Sequence, residues 1–162
     1  MAATTTPSIG WLRERLPLAT EIHVVEGEHF GWNHDKGEIT IDPDAADAPW
    51  LFLHEIGHAV LDHKTYSRDI ELIAHERDAW EKARELANSL MLEIPEDTVQ
   101  DHLDTYRDWM HARSTCPTCE ATGFQSEDST YSCIECKGRW RVNDAKTCQL
   151  KRYSLPTKNT SS

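Results

Sequence analysis

The sequence predicts an α+β fold with a small module appended at the C-terminal end. Three observations carry that prediction. Short β-branched runs with turn residues come first, in "EIHVVEG" and "GWNHDKGEITID"; helical periodicity then dominates from residue 48 to residue 113; and two Cys-x-x-Cys pairs follow. The 162 residues suffice for one domain with its own core and a small appendage.

Composition narrows the class. Hydrophobic residues make up 38% and charged residues 28%, ordinary values for a folded soluble chain. No apolar run approaches the roughly 20 residues that span a bilayer, and "MAATTTPSIGWLRERLPLA" lacks the basic and apolar regions of a signal peptide. The expected compartment is the cytoplasm, without a membrane partner, where disulfides are disfavoured. The net charge of −11 is uneven: residues 1–115 carry −13 and residues 116–162 carry +2. An acidic front part disfavours non-specific nucleic-acid binding there.

Element by element, "TTTPSIGWLRERL" reads as a short helix with Thr6 as N-cap and Pro7 at its first position. "EIHVVEG" reads as a strand and "GWNHDKGEITID" as a hairpin, with Ile39 and Ile41 on one face of the returning strand. "DPDAADAP" is a loop, and Asp47 is placed to cap a helix over residues 48–63. A long helix is expected from Asp69 to Leu92, ended by Pro95. The next helix would put Val99, Leu103, Tyr106 and Met110 on one side. "RSTCPTCE" marks a boundary, giving expected domains 1–114 and 115–150 and a flexible tail 151–162.

The chemistry is concentrated in "WLFLHEIGHAVLDH", residues 50–63. On a helix, His54 and His58 lie one turn apart on one face, so both imidazoles can reach one tetrahedral zinc. Glu55 points about 100° round the axis. It suits a general base acting on a water at the open coordination position. Leu51, Leu53, Ile56, Val60 and Leu61 give the motif an apolar setting, and Gly57 leaves room beside the metal.

The third ligand is a choice among three residues. A continuous helix would carry His63 about 140° from the His58 direction, and "AVLD" contains no glycine to break it. On the following helix, positions 72, 76, 79, 83, 86 and 90 read Leu, Glu, Ala, Ala, Leu, Leu. Glu76 is thus a carboxylate on an apolar stripe, a costly placement unless it is paired or bound to a metal. His75 belongs to a polar stripe with Glu71, Asp78 and Lys82. The expected set is His54, His58 and Glu76, with His75 and His63 as the alternatives. Candidate transition-state donors are Tyr66, Tyr106, His63 and His75.

Cys116, Cys119, Cys133 and Cys136 form Cys-x2-Cys-x13-Cys-x2-Cys, the spacing of a structural Zn2+ site. Four thiolates close the tetrahedron, so this second zinc would staple a segment too short to build its own core. Cys148 has no partner in the pattern and reads as a free thiol. Arg139, Trp140, Arg141, Lys151 and Arg152 mix basic and aromatic character, so this module is a candidate nucleic-acid surface. A protein-binding or capping role is the alternative.

"HEIGH" followed by "ERDAWEKARELANSLMLEIP" resembles the ImmA/IrrE family of minimal zinc metallopeptidases, over residues 20–95. The resemblance implies a small zincin domain with His54, His58 and Glu76 as ligands and Glu55 as base. It further implies an edge strand, expected at "GEITID", to which an extended substrate adds. The implied substrates are intracellular regulators such as DNA-binding repressors. The appended cysteines depart from that family and resemble the zincin-plus-ribbon arrangement of SprT-like proteases, which act on DNA-associated proteins. The expected function is zinc-dependent peptide-bond hydrolysis, with a non-catalytic zinc-binding regulator or adaptor as the alternative.

Overall fold

The computed structural model describes residues 5–16, 18–143 and 150–156. The protein is α+β, with four helices and two small sheets among these residues. Cys148 and residues 157–162 lie outside the described residues. The chain divides into two compact units, residues 1–65 with 74–101, and residues 66–73 with 102–162.

The first unit opens with α1 (Ile9–Arg15), capped by Ser8, whose Oγ accepts from the Trp11 N–H at 3.1 Å. The cap is therefore Ser8 rather than Thr6; both side chains can cap, and the helix starts two residues later than expected. Strands β1 (His23–Glu26), β2 (Gly31–Asn33) and β3 (Glu38–Ile41) form a sheet in the order β1-β3-β2. The hairpin forms as expected, with β2 antiparallel to β3, while β1 pairs parallel to β3. Gly37 holds the turn at φ 60°, and a Cβ there would stand 2.8 Å from the Glu21 carbonyl oxygen. Ile39 and Ile41 are buried, with partly exposed residues alternating between them.

One expectation is overturned here. "GEITID" supplies β3, which is paired on both sides and so is the central strand. The sheet edges are β1 and β2. Hairpin formation is local, but the parallel return of β1 onto the far side of β3 is a tertiary pairing that alternation cannot reveal.

Helix α2 (Ala48–Val60) is almost wholly buried from Phe52 to Ala59. Asp47 occupies its N-cap in the left-handed region at φ 58° and makes no capping hydrogen bond with its side chain, so its expected role is positional only. Helix α3 (Asp69–Ser89) buries Glu76, Ala79, Trp80, Ala83 and Ala87. The predicted stripe holds over its first part and then drifts from Leu86 and Leu90 to Ala87, as a 3.6-residue period requires. Helix α4 (Glu96–Ser114) starts directly after Pro95, and its residues up to Asp101 complete this unit with Val99 in the core.

The second unit joins residues 66–73, the rest of α4 and a four-stranded antiparallel sheet. Its strands are β4 (Phe124–Glu127), β5 (Thr130–Ser132), β6 (Arg139–Val142) and β7 (Arg152–Leu155), in that order. The expected flexible tail therefore begins with a strand paired to β6. Its core is Cys116, Tyr131, Cys133, Trp140 and Val142, packed by Ala121 and Leu150.

The expected boundary at residue 114 does not match this division, because Asp69 and Arg113 form a buried ion pair. Arg113 Nε donates to Asp69 Oδ2 at 3.2 Å and to the Tyr131 hydroxyl at 3.1 Å, and Tyr131 Oη also donates to Asp69 Oδ2. The Trp140 indole N–H donates to the Arg113 carbonyl at 2.8 Å. These bonds bind the start of α3 and the end of α4 to the cysteine-bearing sheet.

Candidate metal centres

Helix α2 projects His54 and His58 from one face, as their spacing requires, and their Nε2 atoms stand 3.0 Å apart. Glu76 on α3 meets both: Oε2 lies 2.7 Å from His54 Nε2, and Oε1 lies 3.3 Å from His58 Nε2. Ligands 2.0 Å from a tetrahedral ion are about 3.3 Å apart, so these separations suit one small cation among the three side chains. All three are buried. Two imidazoles and a carboxylate with their donor atoms turned to one point fit a borderline divalent ion.

The approach of α3 to α2 depends on Gly57. A Cβ there would lie 2.3 Å from the Ala79 carbonyl oxygen, so backbone occupies the space any side chain would need. The small Ala79 and Ala83 keep the facing side equally thin.

Electrostatics follow from burial and from this convergence. Burial opposes ionisation of Glu76, yet hydrogen bonds from His54 and His58 hold its carboxyl below the usual range. Burial likewise works against protonation of His58, but the hydrogen bond and charge of Glu76, then the charge of Glu55, raise it. Glu55, 6% exposed, is pushed up to about 8 by burial, with the His58 charge pulling it down and the Glu76 charge adding to the rise.

His63 stands where a continuous helix would not put it. Helix α2 stops at Val60, and Asp62 takes the left-handed conformation at φ 54°. Asp62 N–H then bonds to the Ala59 carbonyl at 3.1 Å and His63 N–H to the His58 carbonyl at 3.0 Å, the paired bonds of a Schellman turn. Aspartate substitutes for the expected glycine because its short polar side chain tolerates this region. The turn folds His63 back so that its Nδ1 lies 2.8 Å from His58 Nδ1, on the side of the ring opposite to Nε2.

Burial, then the charges of His58 and His75, lower His63 to about 4, which keeps it neutral. A neutral His63 accepts the His58 Nδ1–H, so when His58 gives up its Nε2 proton, as a metal ligand must, the lone pair falls on the side facing Glu76. His75 stacks on His63 with ring centroids 4.3 Å apart and an interplanar angle of 11°. The Trp32 indole N–H donates to the His63 carbonyl at 3.0 Å, and His34 Nε2 sits 3.0 Å from Asp62 Oδ1. Neither His63 nor His75 thus joins the three converging donors, and edge strand β2 adjoins the turn after α2. Tyr66 and Tyr106, the other candidate donors, belong to the second unit.

In that unit the Sγ atoms of Cys116, Cys119, Cys133 and Cys136 all lie within 4.8 Å of one another. The Cys116–Cys136 and Cys119–Cys133 separations are both 3.6 Å, far beyond the roughly 2.05 Å of a disulfide. Four sulfurs gathered without bonding are a metal-binding arrangement. Burial works against a Cys116 thiolate, but the N–H groups of Cys119 and Thr118 aimed at its sulfur bring the thiol down to about 6.

Among the described residues, no helix is long and apolar enough to cross a membrane. The chain matches no protein-family model, no curated protein and no solved structure.

Proposed function

We propose that the chain is a zinc-dependent endopeptidase of the zincin type, similar to the ImmA/IrrE enzymes, with a C-terminal zinc ribbon. The observation that carries this reading is the convergence of His54, His58 and Glu76 with the buried Glu55 one residue from His54. His54, His58 and Glu76 would hold a catalytic zinc, and Cys116, Cys119, Cys133 and Cys136 a structural one. Zinc held there would supply Lewis acidity, which lowers the pKa of a bound water to near 7.

The chain's own residues supply the rest. Glu55 takes the proton of the attacking water on its carboxylate and returns it to the leaving amine. Burial raises the Glu55 carboxyl to about 8, and a cation beside it would bring that value back down, toward the range in which a carboxylate accepts and releases protons near neutral pH. His63 fixes the tautomer of His58. The unpaired side of β2 offers an extended peptide a strand to pair with. An intracellular regulatory protein such as a repressor is the substrate class that fits this reading.

The test compares wild type, Glu55→Gln and Glu76→Ala on casein and on regulators encoded beside the gene. Wild type should bind two zinc ions and cleave. Glu55→Gln should bind two and not cleave, and Glu76→Ala should bind one. Cleavage by Glu55→Gln at the wild-type rate would sink the mechanism. Two zinc ions retained by Glu76→Ala would sink the ligand set.

A further inference from the structure

The four-stranded sheet has a core face and an outer face, and the outer face is not a typical solvent surface. Tyr131, Trp140 and Val142 point into the core. Strand alternation therefore turns their neighbours to the other side, where Arg141 is exposed, Arg139 and Ser132 are half-buried and Thr130 is buried. Register places Arg141 between Thr130 and Tyr153, and Arg139 between Ser132 and Leu155, with Phe124 opposite Ser132. Two large aromatic residues lie on this outer side at its two edge strands: Phe124 is 51% exposed and Tyr153 43% exposed. Arg141 holds its guanidinium 5.2 Å from the Tyr153 ring centroid. Lys151, paired with Asn143, continues the basic side at one end, while Glu127 is the acid at the other edge.

We propose that this outer face binds single-stranded nucleic acid, with Phe124 and Tyr153 as stacking platforms for bases and Arg139 and Arg141 as phosphate contacts. Charge complementarity commits the face to a polyanion, and exposed ring faces select unstacked bases over a duplex, whose bases are already stacked. The acidic balance of −13 over residues 1–115 restricts such contact to the basic end of the chain. Cys116 and Cys133 pack with Tyr131, Trp140 and Val142 in the core beneath the sheet, so the outward side chains stand on a packed support, which lowers the ordering cost of binding. Trp140, which the sequence offered as a stacking residue, is fully buried and bonded to the Arg113 carbonyl, so it takes no part.

The experiment uses the full chain loaded with zinc and fluorescence anisotropy of labelled oligothymidylate, oligouridylate and a duplex at about 50 mM salt. Zinc content and a cooperative melt confirm that each variant is folded. Binding should favour single strands, and the stronger of the two homopolymers assigns the source as DNA or RNA. Phe124→Ala and Tyr153→Ala should each weaken binding about tenfold, the order that alanine substitution of a stacked aromatic gives. Arg139→Gln with Arg141→Gln should reduce the slope of log affinity against log salt by about 1.4, as for two single-strand phosphate contacts. Absence of binding, equal affinity for duplex, or affinities indifferent to both aromatic substitutions overturns the proposal.

Discussion

His58 and His63 meet through their Nδ1 atoms at 2.8 Å, which leaves the His58 Nε2 facing Glu76 and His54. The bond orients one proposed ligand from behind, and partners of this kind commonly change metal affinity by 10- to 100-fold. His63→Ala should therefore weaken zinc at the histidine site about tenfold or more and leave the cysteine site untouched. Competition with a chromophoric chelator resolves the two sites. An unchanged affinity at the histidine site would remove His63 from the centre.

Gly57 is the hinge of the α2–α3 approach. Gly57→Ala places a methyl group against the Ala79 carbonyl, which is backbone and cannot rotate aside. Overpacking of this kind costs about 1–3 kcal/mol. The expected result is a lower unfolding midpoint in urea together with a weakened histidine-site metal, since parting the helices withdraws Glu76. A variant with wild-type midpoint and affinity would show that the contact is not tight in solution.

The ion pair of Arg113 and Asp69 is buried on both sides, with side-chain exposures of 7% and 6%. Arg113→Ala leaves the buried Asp69 carboxylate with the Tyr131 hydroxyl as donor but without its counter-charge, and breaking such a pair costs about 3–5 kcal/mol. The second unit should lose its cooperative melt first, seen as early release of the cysteine-site zinc on heating. Replacing both members by apolar residues, as in Asp69→Leu with Arg113→Met, should restore part of the loss. Coincident zinc release from Arg113→Ala and wild type would rule the pair out as a structural anchor.

Glu55 makes stability depend on pH in the metal-free protein. Its carboxyl titrates near 8 in the folded chain, well above the ordinary range, because burial disfavours the charge. Between the ordinary value and about 8 the folded state keeps a proton that the unfolded state has released. The associated stability is present at low pH and lost as pH rises through about 8. His58, also raised, contributes with the same sign. Chelator-treated wild type should lose melting temperature across that window more steeply than Glu55→Gln. Parallel curves for the two proteins would contradict the buried, protonated state.

Local spacing made much of the site legible. His54 and His58 share a face because four residues make roughly one helical turn, and Glu76 stands out because its neighbours on the stripe are apolar. The paired cysteines needed only their own separations. The direction of His63 was not legible for a definite reason: whether a helix continues or closes in a Schellman turn was decided by Asp62 entering the left-handed region, a state glycine advertises and aspartate does not. The roles of Asp69 and Arg113 carried no local signal, since each looks like a surface charge until the fold brings them together 44 residues apart in sequence.

By itself, then, the sequence determined the α+β class, the helix that carries the His-Glu-x-x-His motif, the isolated buried carboxylate and the four-cysteine cluster. All of these rest on periodicity or short spacing, which the backbone geometry of one element enforces. Tertiary structure alone decided that β3 is central and β2 an edge, and that Gly57 faces the Ala79 backbone. It also turned Trp140 inward and left Phe124 and Tyr153 outside. Each of these depends on which surface of one element meets another, and that choice is made by packing of the whole chain rather than by any one segment.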